Sequence, residues 1–284
     1  MAQYQIKYHT ENSYDTPVHE AYLEFMVLPC SNDEQFCTTY SIKNSINAPF
    51  QFVNSLYGFR IARFHLFGKI SSFNLTLLAS VEKSTFQTTH YKSISIKEEQ
   101  QHLKNIDNTI AFSDFLIQTP LTIIDKSVYP LETMKGRDEA VFHYIQRINN
   151  FIRFYLQYEQ GVTTTASNVM DVLKLRKGVC QDFAHLFISI MRTNGIPARY
   201  VSGFLNQNGE FIGASAMHAW VEVWIPGTGW MGIDPTNNLF VNENYLKVAH
   251  GADYNDCMPL KGILRSGGQG KTNYYVEVTE QQNQ

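Results

Sequence analysis

The stretch that most constrains this chain is residues 216–234. Alternation from Ala216 to Ile225 sets a strand with His218, Trp220, Glu222 and Trp224 on one face. Met217, Ala219, Val221, Val223 and Ile225 take the other. Pro226-Gly227-Thr228-Gly229 is a turn, and Trp230 to Asp234 is the returning strand. With Trp224 opposite Trp230, Trp220 faces Asp234, and His218 lies one diagonal step from it. Such neighbours are about 7–8 Å apart at the backbone, within side-chain reach. A slip of one residue would turn Asp234 to the wrong face. A carboxylate in that place holds an imidazole by one nitrogen and leaves the other free to exchange a proton.

A second feature supplies a nucleophile for such a pair. Lys177-Gly178-Val179 leads into Cys180, which opens a helix striped by Phe183, Leu186, Phe187, Ile190 and Met191. Asn194-Gly195 closes it, with Pro197 beyond. A thiol in the first helical turn sits near unpaired N–H groups and the positive end of the macrodipole. Both favour the thiolate, the nucleophilic form, and the same N–H groups suit a developing oxyanion. Taken singly, each residue has a plainer account. An isolated cysteine is more often a small packed hydrophobe, a lone strand histidine is more often structural, and Asp234 before Pro235 suits an ordinary turn. Cysteine, histidine and aspartate on elements that can converge make a nucleophile–base–orienter set.

The rest of the chain divides by pattern. Residues 1–97 hold short runs rich in β-branched and aromatic residues: Tyr4 to Tyr8, Glu20 to Leu28, Thr38 to Ile42, Gln51 to Leu56, Ile61 to Phe67 and Asn74 to Lys83. Turn formers such as Ser31-Asn32-Asp33 separate them, which predicts an antiparallel sandwich-like domain. Residues 98–135, with Pro120 and Pro130, are a connector. Residues 136–284 form the core. Its first helix spans 137–157, and a short one spans Asn168 to Leu175 with Asn168 as cap and Asp171 three residues on. Strands follow at Ala198 to Leu205 and Tyr274 to Val278. The fold class is α+β.

Composition narrows the function. Net charge is −3, with 23 basic against 26 acidic residues and no basic stripe, which argues against a nucleic-acid partner. No apolar run reaches the roughly 18 residues of a membrane span, so no membrane partner is expected. The start, Met1 to His9, lacks the features of a secretory signal, and a cytoplasmic location is expected. Four cysteines without a C-x-x-C pair suggest neither a disulfide scaffold nor structural zinc. No cofactor is called for. Oligomeric state is not readable.

Gly178-Val179-Cys180-Gln181-Asp182-Phe183-Ala184-His185-Leu186 resembles the nucleophile segment of the transglutaminase-like superfamily. Gly195 to Phe204 resembles its next segment. His218-Ala219-Trp220-Val221-Glu222-Val223-Trp224 and Gly229-Trp230-Met231-Gly232-Ile233-Asp234-Pro235-Thr236 resemble its histidine and aspartate strands. Tyr14 to Val18 and Gly251 to Gly262 are similar to flanking segments of bacterial cysteine-protease-type members. Ala252 departs from an arginine frequent there. The resemblance implies a papain-like core in which Cys180 attacks a carbonyl, His218 moves the proton and Asp234 orients the ring.

It implies a peptide or protein substrate, cleaved by water in a peptidase or amidase. Transfer to a lysine amine or a small amine is the alternative. A binding module that has lost its chemistry, and a metal site built from Cys180, His218, Asp234 and His185, are the readings from other classes. Four further residues are weaker candidates for substrate or oxyanion contact. Gln181 and Asp182 flank the nucleophile, although helix capping explains them equally well. Tyr158 can offer a hydroxyl, and Trp220 a cleft wall, although large aromatics mostly pack. His185, about 140° round the helix from Cys180, suits packing better than base chemistry.

Overall fold

The computed structural model describes residues 1–84, 91–106, 109–125, 127–207, 211–265 and 269–281. Two of its strands are 24 residues long, β1 (Ala2–Phe25) and β4 (Arg60–Lys83). Between them lie β2 (Gln35–Asn44) and β3 (Gln51–Asn54), both paired with β4. In β1 the buried positions are Tyr4, Ile6, Tyr8, Thr10 and Asn12, then Ala21, Leu23 and Phe25. The phase changes across register breaks between Ser13 and Glu20, as a bulge requires. On β4, Phe64 and Phe73 would stand about 30 Å apart if the strand ran straight at about 3.3 Å per residue. Their ring centroids are 5.7 Å apart, and Phe25 stacks on Phe64. The sheet therefore folds over itself near Gly68, whose φ is +104°, and its halves face each other as in a sandwich. The runs expected at Tyr4 to Tyr8 and from Glu20 are thus parts of one long, bent strand, and those at Ile61 to Phe67 and Asn74 to Lys83 parts of another.

Helices α1 (Ile96–Ile106) and α2 (Ile110–Leu116) lie in the connector. Helix α3 (Val141–Tyr155) buries Val141, Tyr144, Ile145, Ile148 and Ile152 at helical spacing. Strand β5 (Gln157–Tyr158) follows, then α4 (Val169–Leu175) and β6 (Lys177–Gly178), which pairs in parallel with β5. The α4 cap is the expected one: Asn168 Oδ1 accepts from the Asp171 N–H at 3.1 Å, and Asp171 accepts from the Asn168 N–H at 3.1 Å.

Helix α5 (Cys180–Thr193) is buried all the way from Gln181 to Arg192, as a central helix must be. It packs on a five-stranded antiparallel sheet made of β7 (Ala198–Leu205), β8 (His218–Ile225), β9 (Gly229–Asp234), β10 (Leu239–Phe240) and β11 (Tyr245–Gly251). Trp224 pairs with Trp230, the register that the hairpin pattern predicts. No described helix is long and apolar enough to cross a membrane.

The chain then returns to its first sheet. Strands β12 (Leu260–Arg265) and β13 (Gly270–Gln281) pair with β1, so that Gln3 lies opposite Gln281. Residues 260–265 and 270–281, grouped with the core by sequence, complete the N-terminal sheet. That sheet is bonded to the core at β11. Gln35 Nε2 donates to the Lys247 carbonyl and Oε1 accepts from its N–H, both at 2.8 Å, and Lys83 Nζ donates to the Tyr245 carbonyl at 2.7 Å. The Tyr8 ring lies 6.1 Å from that of Phe204.

Candidate active site

Cys180 is the first residue of α5, after Val179 in extended conformation. The exposed end of this helix is satisfied by Asp182. Its Oδ2 accepts from the Val179 N–H at 2.8 Å and from the Thr163 hydroxyl at 2.7 Å. Burial pushes the Asp182 carboxyl up, and the two donors oppose that shift. Only a glycine fits at 178, because a Cβ there would lie 2.5 Å from Asp182 Oδ2. Asp182 therefore holds the turn that presents Cys180. The half-buried thiol lines a cavity of about 310 Å³ shared with His218, Gln181 and Met217.

His218 opens β8 and Asp234 closes β9, and both side chains are fully buried. The imidazole Nε2 donates to Asp234 Oδ2 at 2.8 Å. Tyr245 Oη at 2.8 Å and Asn237 Nδ2 at 2.7 Å donate to the same oxygen. Oδ1 accepts from the N–H groups of Thr236 at 2.8 Å and Asn237 at 3.2 Å. Five donors hold this carboxyl below its ordinary value: burial works against ionisation, and His218, Asn237 and Tyr245 outweigh it. Burial likewise disfavours a charged imidazole, but Asp234 and then Cys180 overcome it and raise His218 to about 10. The imidazole and the Cys180 thiol line the same cavity, and the thiol is one of the groups that raise the ring. With Nε2 given to Asp234, Nδ1 is the nitrogen left for it, and Nδ1 makes no hydrogen bond among the described residues.

The loop before β8 closes over this pair. Asn237 accepts from the Ile212 N–H at 2.8 Å and donates to its carbonyl at 3.2 Å. Next to Ile212, Gly213 has φ +88°, and a Cβ on it would sit 2.8 Å from His218 Nδ1. Asn237 thus fastens one end of the loop to the same carboxylate that orients the ring.

The other sequence candidates are placed as follows. Gln181 lines the cavity and its amide donates to the Thr165 carbonyl at 3.2 Å. Asp182 caps the helix. The Tyr158 ring packs near Phe183, and its hydroxyl faces the Gly213 side of the imidazole. Trp220 is not brought to the cavity. It is buried against Tyr245 at 5.4 Å between centroids and leaves no room for a side chain at Gly203. His185 is buried, accepts from the Tyr254 N–H at 3.2 Å and is pushed down to about 3 by burial, so it is a neutral packing group. Cys257 is fully buried, and Cys30 and Cys37 are unpaired thiols. Among the described residues no cluster of three His, Cys, Asp or Glu is disposed to hold a metal ion. Tyr245, Asn237 and Gly213 were not candidates from sequence. Asn237 had a local signal, a polar side chain three residues after Asp234 in a turn, whereas Tyr245 had none.

Residues 131–235 match the family described as the transglutaminase-like superfamily. An uncharacterized protein of Mycobacterium leprae is 28% identical over 284 residues, covering 98% of this chain and 99% of that one. The protein-glutamine gamma-glutamyltransferase of Pseudomonas aeruginosa is 40% identical over 80 residues, which are 26% of this chain and 12% of that enzyme. A solved structure from Cytophaga hutchinsonii, described as a candidate cysteine protease, superposes with a TM-score of 0.80 at 23% identity, covering 100% of this chain and 92% of that chain. At that identity the likeness establishes the fold.

Proposed function

We propose, from the match of residues 131–235 to the transglutaminase-like superfamily, that the chain is a cysteine-dependent acyl-transfer enzyme acting on amide bonds, a peptidase or amidase. The observation that carries this reading is the fully buried His218–Asp234 pair, bonded at 2.8 Å, with the imidazole raised to about 10 beside the thiol of Cys180. A protonated imidazole kept against a thiol favours its sulfur as a nucleophile. Cys180 Sγ attacks the carbonyl carbon of the substrate, and the oxyanion forms near the free N–H groups of the first turn of α5. His218 gives its proton from Nδ1 to the leaving amine, which departs and leaves a thioester on Cys180. His218, now neutral, takes a proton from water, and the hydroxyl attacks the thioester to release the acid. Asp234 keeps the ring in register throughout. An amine in place of water would give transamidation, and the 80-residue likeness to a glutamyltransferase favours keeping that acceptor in the test.

The test is alkylation by iodoacetamide at pH 6, with every labelled cysteine mapped by mass spectrometry. Cys180 is expected to label faster than Cys30, Cys37 and Cys257 in the native protein, and the advantage to vanish in His218→Ala. Equal labelling of exposed thiols and Cys180 would sink the reading and leave a binding module in its place. Peptide amides offered with and without a primary amine then separate hydrolysis from transfer.

A further inference from the structure

The cavity at Cys180 is not made by the core alone. Tyr8 of β1 and Tyr274 of β13 form one wall, Tyr200 of β7 and Tyr254 another, and Met217 and Pro259 close it. Among the described residues no Asp, Glu, Lys or Arg lines it. Elsewhere in this chain the largely buried Glu222 is held by two cations, Arg199 at 2.6 Å and Lys247 at 2.7 Å. A charged group entering the cavity would lose water and meet, among the described lining residues, only the Cys180–His218 pair, whose imidazole is already held by Asp234. Tyr8 adds a second mark. Its hydroxyl is buried, borders the cavity and makes no hydrogen bond among the described residues. A buried hydroxyl without a partner is rare in a finished protein interior, and an incoming ligand atom would satisfy it.

We propose that this tyrosine-walled cavity receives the acyl-side group of the substrate, and that the group is uncharged, apolar or aromatic, and carries a neutral hydrogen-bonding atom that meets the Tyr8 hydroxyl. The N-terminal sheet is then the specificity element for the core's chemistry. The inference rests on Cys180 being the nucleophile and adds the class of acyl group that it accepts.

The probes are p-nitrophenyl esters of benzyloxycarbonyl-phenylalanine, -leucine, -lysine and -glutamate, followed by the burst of nitrophenolate. Cys180 Sγ, deprotonated beside the protonated His218, forms a bond to the acyl carbon, the bond from that carbon to the nitrophenyl oxygen breaks, its electron pair leaves on nitrophenolate, and His218 keeps its proton. Rates are divided by those with glutathione to remove intrinsic reactivity, and iodoacetamide labelling of Cys180 normalises each variant. The phenylalanine and leucine esters are expected to acylate Cys180 at least about tenfold faster than the charged ones. Tyr274 is half exposed, so Tyr274→Glu changes the rim without opening the core. It is expected to raise the lysine ester relative to the phenylalanine ester by about tenfold. Tyr8→Phe keeps the ring against Phe204 and is expected to slow the phenylalanine ester by about three- to tenfold. Selective iodoacetamide labelling with a flat ester ranking, or a ranking that Tyr274→Glu leaves unmoved, overturns the cavity assignment and spares the nucleophile. A Cys180 that gains neither label overturns both.

Discussion

Gly213→Ala is a one-carbon change that tests whether the loop before β8 sets the position of the catalytic imidazole. Its φ of +88° disfavours any side chain, and the new Cβ would lie 2.8 Å from His218 Nδ1 and 3.3 Å from Cε1. Ordinary contact begins near 3.4 Å, so about 0.6 Å must be found by the ring or by the loop. The ring cannot yield freely, because it is fully buried and fixed at 2.8 Å to Asp234. The loop is half buried but tied at Ile212 to Asn237. Gly161→Ala is the matched control: its φ is +79°, and nothing lies within 4 Å of its Cβ. Both variants carry the left-handed penalty of about 1–2 kcal/mol. That lowers the melting temperature by about 2–4 °C per kcal/mol in a chain of this size. Only Gly213→Ala displaces the imidazole, and sub-ångström misplacement of a reacting group can lower a rate by about 10- to 100-fold. The assay is the iodoacetamide rate at Cys180 for wild type and both variants, with a thermal melt of each. Labelling of Gly213→Ala within about threefold of Gly161→Ala, at equal melting temperatures, would refute the argument.

Asn237→Ala leaves the Ile212 N–H and carbonyl unpaired and takes one donor from Asp234. A loss of about 1–3 kcal/mol in urea unfolding is expected, with slower Cys180 labelling. Glu222→Gln strands Lys247 and Arg199 beside a neutral amide, which should lower stability by about 3–5 kcal/mol. An unchanged urea midpoint would dismiss that ion cluster as a structural element. The His218–Asp234 pair also makes stability depend on pH. The folded imidazole is raised to about 10 from an ordinary 6.5, so its contribution is complete below about pH 6.5 and is lost as pH rises through about 10. The Asp234 carboxyl is lowered from 3.8, so its contribution is present above that value and is lost as pH falls through its folded one. The stability gap between wild type and His218→Gln should therefore be widest near pH 4–6.5 and narrow toward pH 10. A gap that grows with pH would contradict a charged imidazole.

Local patterns carried the chemistry, and long-range pairing carried what was missed. The Trp224–Trp230 register followed from a four-residue turn rich in glycine, and Gly227 and Gly229 do adopt φ of +80° and +104°. That register alone placed His218 beside Asp234. The α4 cap and the glycine stop after α5 were equally local. The bends of β1 and β4 fall in the gaps between the expected runs, because polar residues at a fold in a strand have the composition of a loop. The Tyr245 hydroxyl reaches Asp234 only because β11 pairs with β7 across the sheet, which no sequence window contains. Trp220 was a reasonable wall candidate on an alternating strand, but the Tyr245 ring packs against it and turns it into interior. The part played by residues 260–265 and 270–281 was hidden for the same reason: partners of β1 that lie more than 200 residues away leave no periodic trace.

The pairing of Gln3 with Gln281 gives the molecule an order of assembly in time. A nascent chain emerging at about 5–20 residues per second can present Cys180, His218 and Asp234 well before residues 270–281 exist. Until those residues arrive, β1 lacks its neighbour along half its length and the cavity lacks Tyr274. Chains cut short by stalling or proteolysis before β13 would keep the nucleophile but leave its cavity unwalled. On the proposed reading selectivity is acquired later in synthesis than reactivity, and loss of β13 is the cut that would separate the two.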